Sequence, residues 1–257
     1  MKKYRVLLSL LITFTIVLCL SACENKNGDN KLVREGKLTM ATNAYFPPYE
    51  HYSGDEIVGI DIDIGKLIAD RMGLDLEIKD MPFEDVINSV KDGESDIAIS
   101  TLTVTEERQK IVDFTEPYAF GIQSIIVKED SEIKNAEDLY NAEMIGVQKG
   151  ATGEAFCQED FGEEKVTSYN KISVSLLDLN TGKIDAVVID RDVAEKYVEE
   201  NAGLKMLDSD YKKEDYGIAI SKDNPKLKEE INKILQELKD EGKIDEIIGR
   251  HITGDME

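Results

Sequence analysis

A chain of 257 residues with 53 acidic against 31 basic side chains carries a formal net charge of −22, which sets it against nucleic acid and anionic lipid surfaces as partners. Two histidines and three cysteines, with no pair at ligand spacing, speak against a zinc or redox-metal site, and no cofactor is expected. The length allows a sizeable core and two domains of about 100–150 residues each.

Lys2, Lys3 and Arg5 precede an apolar run from Val6 to Leu20. The run falls short of the ~20 residues of a membrane span, is broken by Ser9, Thr13 and Thr15, and ends in Ser21 and Ala22, so residues 1–22 read as a secretory signal. Cys23 follows at once. That order resembles the bacterial lipobox, in which the cysteine is acylated and becomes the first residue; an ordinary cleaved signal before a chance cysteine is the alternative. Residues 23–36 are polar, contain Gly28 and lack periodicity, the marks of a flexible tether. The protein is therefore expected to be exported and lipid-anchored through Cys23, on the outer face of the cell membrane or on the periplasmic side where an outer membrane exists. Cys157 then stands alone without an internal disulfide, and its place after Phe156 in a helical stretch reads as a small buried apolar residue.

From Lys37 short apolar runs alternate with helical patterns, an α/β architecture of helices over mostly parallel strands. Leu38 to Thr42 predicts a strand. After Pro47 and Pro48, Ile57 to Ile60 predicts another, and Asp61 is placed to cap a helix with apolar positions Ile64, Leu67, Ile68 and Met72, stopped by Gly73. Strands follow at Leu74 to Lys79 and Ile97 to Ser100, with a short helix from Phe83 to Val90 between them. A second series has a helix near Ala136 to Tyr140, a strand Met144 to Gln148, a helix from about Gly153 and a strand Ala186 to Ile189. Gly93 to Asp96 before Ile97 is echoed by Gly182 to Asp185 before Ala186, two Gly-x-x-Asp turns into buried strands. Such turns are common, yet two at equivalent places favour two similar lobes. Ala119 to Lys128 and Tyr216 to Ser221 read as connections between them, and a terminal helix with Pro225 in its first turn carries Leu227, Ile231, Ile234, Leu235 and Leu238 on one face. The expected division is lobe 1 from 37–120 and 217–257, lobe 2 from 121–216, with the two connecting strands as the hinge.

Ligands of open α/β sheets sit beyond the carboxyl ends of the strands. Asn43, Tyr45, Phe46, Ser100, Thr101, Thr103 and Arg108 stand there in the first half; Gln148, Thr152 and Asp190 stand there in the second. Arg108 follows Thr105 near a helix N-terminus, where a guanidinium can grip a carboxylate with two parallel bonds. Asp190 supplies the opposite charge for an ammonium. Together they suit the two ends of a free α-amino acid, and a few charge-assisted bonds of about 1.5–3 kcal/mol each reach the ~8 kcal/mol of a micromolar complex. Taken singly, Arg108 reads as a surface ion pair with Glu106 or Glu107, Asp190 as a helix N-cap, and Phe46 and Phe83 as core residues.

Three stretches carry a closer likeness: Gly59-Ile60-Asp61-Ile62-Asp63; Thr103-Val104-Thr105-Glu106-Glu107-Arg108 leading to Val112-Asp113-Phe114-Thr115-Glu116-Pro117-Tyr118; and Ile145 to Gly153. They resemble the solute-binding proteins that deliver polar amino acids to ABC transporters, over nearly all of residues 37 to 250. The resemblance implies a two-lobed periplasmic-binding-protein-like (type II) α/β fold with two hinge strands. It also implies that the protein is no enzyme, that it works as a monomer and that its partners are a free amino acid and a permease. By the same resemblance Arg108 holds the ligand carboxylate with Ser100, Thr101, Thr103 and Thr152, and Asp190 holds the ammonium. Phe46 and Phe83 sandwich the stem, and Asn43 and Gln148 approach the side chain. Asn43 stands where several relatives carry aspartate, which favours an uncharged polar or sulfur-containing side chain over a cationic one. A dehydratase-like enzyme on a related fold is the rival, with Asp190 and Glu50 as its candidate acid or base; a sensory module is a second, against which no further membrane segment or output domain is expected.

Overall fold

The computed structural model describes residues 31–253; the expected signal, Cys23 and the chain up to residue 30 lie outside them. Two mixed sheets organise the fold. The first draws on β1 (Lys37–Thr42), then on β5 (Asp75–Asp80), β6 (Ile97–Ala98), β7 (Asp113–Phe114) and β14 (Ala219–Ile220), in the order β5–β1–β6–β14–β7. The second is built from β8 (Ala119–Lys128), β9 (Ile145–Gln148), β10 (Val166–Tyr169), β11 (Ala186–Asp190), β12 (Leu204–Met206) and β13 (Lys212–Tyr216). Its order is β10–β9–β11–β8–β12, with β13 also paired to β8. Between β1 and β5 lies a small antiparallel sheet of β2 (Tyr45–Phe46), β3 (Glu50–Ser53) and β4 (Glu56–Val58).

The helices are α1 (Ile60–Met72), α2 (Phe83–Lys91), α3 (Glu106–Ile111), α4 (Thr152–Phe161), α5 (Ile172–Asn180), α6 (Arg191–Glu200), α7 (Pro225–Asp240) and α8 (Lys243–Thr253). Leu227, Ile231, Ile234, Leu235 and Leu238 of α7 are buried together with Leu38, Met40, Ile64 and Ile68 of the first half. Burying such side chains contributes roughly 1.5–3 kcal/mol apiece before chain entropy is subtracted. Cys157 is fully buried on α4, and burial pushes its thiol up to about 12, as suits a packing residue.

The two halves repeat one device. Gly93 (φ 73°) and Gly182 (φ 74°) each turn the chain through the left-handed region that favours glycine. Three residues on, Asp96 Oδ2 accepts from the Thr39 N–H at 2.7 Å, and Asp185 Oδ2 accepts from the Met144 N–H at 3.0 Å. The backbone answers in kind, with Asp96 N donating to Thr39 O and Asp185 N to Met144 O. Each aspartate thus clamps the neighbouring strand, β1 or β9, before the chain enters β6 or β11 alongside it.

Several expectations need correction. The sheets are not mostly parallel. Each has a parallel trio, β5–β1–β6 or β10–β9–β11, joined to one strand that runs the other way, β14 or β8, and the remaining strands pair antiparallel to that one. The reversal thus comes from β8 and β14, the first strands the chain forms after crossing to each sheet. The strand expected from Ile57 to Ile60 ends at Val58, because Gly59 bends the chain at φ 135° and Ile60 already begins α1. Asp61 is therefore no cap. It sits buried in the first turn of α1 and accepts from the Thr101 N–H and the Tyr118 hydroxyl, both at 2.8 Å. The tether expected to reach residue 36 is docked from residue 31 onward: Val33 N donates to Asp96 Oδ1, and Arg34 pairs with Glu77.

A methyl group on Gly59 would stand 2.1 Å from the Tyr49 carbonyl oxygen, and the backbone angle is one that side chains avoid. Gly59→Ala should lower the unfolding free energy by about 3 kcal/mol, read as a shift of the urea midpoint, whereas Gly73→Ala, with open space around it, should cost about 1 kcal/mol through backbone strain alone.

Candidate functional site

The carboxyl ends of β1 and β6 converge on a buried polar cluster. Ser100 Oγ accepts from the Asn43 N–H at 3.1 Å and donates to Glu50 Oε1 at 2.7 Å. Thr101 follows at φ 46°, a left-handed conformation costly for a β-branched residue. The bond from its N–H to Asp61 holds it there. Burial drives the Glu50 carboxyl well above the usual range, helped by the neighbouring Asp61 carboxylate. Burial also lifts Asp61 to about 6, against the pull of its Thr101 and Tyr118 donors.

Past Thr103, the Thr105 hydroxyl accepts from the Arg108 N–H at 3.2 Å and caps α3, which places Arg108 in the first turn. The Arg108 guanidinium does not pair with Glu106 or Glu107. It turns inward, donating to Thr103 O at 2.9 Å and to Gly150 O at 3.2 Å, with its carbon 5.7 Å from the centre of the Phe83 ring. Burial lowers its pKa to about 10, opposed by the nearby Glu214 carboxylate.

The second half contributes the opposite charge. Asp190 ends β11, is 1% exposed, and caps α6 by accepting from the Asp192 N–H at 3.0 Å. The N-cap alternative is therefore correct as far as it goes. Its other oxygen accepts from the Tyr216 hydroxyl. Burial lifts Asp190 to about 7 in spite of that bond. Gln148 at the end of β9 donates to Asn43 Oδ1 at 3.1 Å, and Thr152 at the start of α4 meets the Thr103 hydroxyl at 3.3 Å.

These groups enclose one cavity. Of the expected residues, Phe46, Phe83, Thr101, Thr103, Arg108, Gln148, Thr152 and Asp190 line it. Ser100 and Asn43 do not; Ser100 stands behind the wall on Glu50, and Asn43 is taken up by Gln148 and by the Met81 carbonyl. Ala151, expected beside Gln148 and Thr152, lines it too, and Gln123, Glu214 and Tyr216, which were not foreseen, complete the lining. Glu214 lies in the run Lys212-Lys213-Glu214-Asp215, which reads as a solvated charge run. Its strand buries alternate positions, and Glu214 shares the inner face with Tyr216. That period of two was the available signal.

The cavity measures about 20 Å³, room for about one water molecule. Direct contacts also join the two halves, among them Lys149 Nζ to Glu84 Oε1 at 2.9 Å and Tyr49 OH to Asp192 Oδ2 at 2.7 Å. Tyr45, expected near the ligand, lies at this junction instead, 38% exposed, its carbonyl accepting from the Tyr197 hydroxyl and its ring under Lys171 Nζ at 4.3 Å.

Two α/β sheets joined by crossing strands, with side chains of opposite charge brought from each to one cavity, define a two-lobed binding protein that closes on its solute. The chain belongs to the bacterial extracellular solute-binding proteins, family 3, whose model matches residues 38–254. It is 33% identical to the arginine-binding extracellular protein ArtP of Bacillus subtilis, over 99% of this chain and 100% of that one. It is 31% identical to the glutamine-binding protein GlnH of the same organism, over 95% and 96%. Among solved structures, an amino acid ABC transporter substrate-binding protein from Streptococcus pneumoniae bound to L-arginine superposes with a TM-score of 0.80 at 34% identity, covering 86% of this chain and 97% of that one.

Asp190 and Asp61 hold their protons more tightly folded than unfolded, so the stability they contribute is complete below the unfolded carboxylate range and is lost as pH rises through about 6 to 7; Glu50 is shifted in the same direction. The thermal midpoint of the protein without added solute should therefore rise as pH is lowered from about 7.5 to 5.5. Asp190→Asn should flatten that slope, measured by differential scanning fluorimetry.

Proposed function

We propose that this chain is the substrate-binding component of an amino-acid ABC importer, capturing one free α-amino acid by hinge closure and passing it to a permease. The observation that carries this reading is the placing of Arg108 and Asp190, from different sheets, on the walls of one cavity. Arg108 takes the carboxylate, with Thr101, Thr103 and Thr152 lining the wall around it, and Asp190 takes the ammonium. Phe46 and Phe83 flank the stem, while Ser100 works from behind by fixing Asn43. Lobe 1 comprises 37–120 and 217–257 and lobe 2 comprises 121–216, with β8 and β13 as hinge. The chain is exported, cleaved after Ala22 and anchored by lipid on Cys23.

Gln148 on the cavity wall, hydrogen-bonded to Asn43 behind it, puts an amide rather than a charge beside the ligand side chain. A carboxamide can both donate and accept there, so L-glutamine is the first choice and L-arginine the second, both of them ligands named among the relatives. Catalysis is not part of the proposal. Asp190 is already engaged by Tyr216 and Asp192, and an ammonium accounts for the charge that remains.

Calorimetry against the twenty common amino acids and cystine tests this reading. Wild-type protein should bind L-glutamine at micromolar level or tighter and return it chemically unchanged; Arg108→Ala should lose at least about 100-fold, since a buried charge-assisted pair is removed. Retained affinity in that variant sinks the assignment. Asn43→Asp should move preference toward L-arginine by about tenfold. Because the ammonium needs ionised Asp190, affinity should fall about 30-fold at pH 5.5 relative to pH 8, about tenfold per unit below the free group's value near 7.

A further inference from the structure

One carboxylate in the cavity has no part in the pairing just described. Glu214 is 5% exposed and lines the same cavity as Arg108 and Asp190. Its Oε1 accepts from the Thr103 hydroxyl at 3.0 Å and its Oε2 from Gln123 Nε2 at 2.7 Å. Two neutral donors, one on each oxygen, are the partners of an ionised carboxylate. Its charge reaches Arg108, whose cationic form it favours.

Around Glu214 the cavity presents acceptors. The Thr103 hydroxyl has a single proton and gives it to Glu214, so toward Thr152 and the cavity it can only accept. With its amide nitrogen committed to Glu214, Gln123 keeps its Oε1 buried without a hydrogen-bond partner. Both residues stand on the strands that cross between the halves, Gln123 on β8 and Glu214 on β13.

We propose that Glu214 is a specificity-determining residue, a second anion in the binding cavity that makes the site reject ligands carrying a carboxylate without an ammonium. The proposal rests on the amino-acid reading above. Arg108 balances Asp190, and Glu214 tips the sum to one net negative charge. A zwitterion leaves that sum unchanged. A ligand reduced to its carboxylate brings a second uncompensated negative charge into a buried space, which is costly. A ligand reduced to its ammonium neutralises the excess. With Arg108 and Asp190 alone, the two truncated ligands would suffer alike.

Calorimetry at pH 8 with L-glutamine, glutaramic acid (ammonium removed) and γ-aminobutyramide (carboxylate removed) tests this, the corresponding analogues replacing them if the panel returns another amino acid. Wild-type protein should bind the amine at least about tenfold more tightly than the acid. Glu214→Gln should erase or invert that preference and tighten the acid in absolute terms, a gain that damage to the fold cannot imitate. Equal losses for both analogues in the wild type, a comparison that needs no variant, would overturn the proposal. So would an unchanged preference in E214Q. Failure of the wild type to bind any amino acid strikes instead at the reading on which the proposal stands.

Discussion

The site depends on holding two opposite charges where neither is comfortable. Burial pushes Asp190 up to about 7 and Arg108 down to about 10, so each is held short of full stability in its ionised form. Hydrogen bonds from Tyr216 to Asp190 and from Arg108 to backbone carbonyls keep both in position without neutralising either. A partner that brings the missing counter-charges relieves both strains at once. On the roles proposed for Arg108 and Asp190, that gain requires the two sheets to lie close and ties solute capture to hinge closure.

The supporting shell is polar as well. Thr101 keeps its left-handed backbone because Asp61 holds its N–H, and Asp61 is itself steadied by Tyr118 at the entrance to β8. Glu50 beside it orients Ser100, which receives the Asn43 N–H. A chain of hydrogen bonds thus runs from the crossing strand to the wall of the cavity. Such networks are rigid when satisfied and costly when half made.

Much of this was legible in the sequence because it rests on local chemistry. Hydrophobic period and glycine stops located β1, α1 and α7, and the Gly-x-x-Asp echo at Asp96 and Asp185 pointed to the repeat. Arg108 and Asp190 stood out as charged residues just past strand ends, where a sheet presents its ligands. What escaped depends on contacts distant in sequence. Asp61 looks like a cap until Thr101 and Tyr118 are brought to it, 40 and 57 residues away. Glu214 passes for surface charge until Gln123, 91 residues earlier, is seen to donate to it. Antiparallel crossing strands also lack a signature of their own, since direction is set by which sheet receives them.

The repeated turns carry an implication for orientation. Counting from the clamp aspartates, Thr101 and Asp190 occupy the same place in their respective halves, five residues beyond Asp96 and Asp185. One is an uncharged hydroxyl on a strained turn; the other is a carboxylate at the head of a helix. The two turns match in spacing, while the groups mounted on them do not. On the roles proposed above, a guest with unlike ends therefore finds unlike furniture on matching frames, and only one way of lying there brings each end to a welcoming wall.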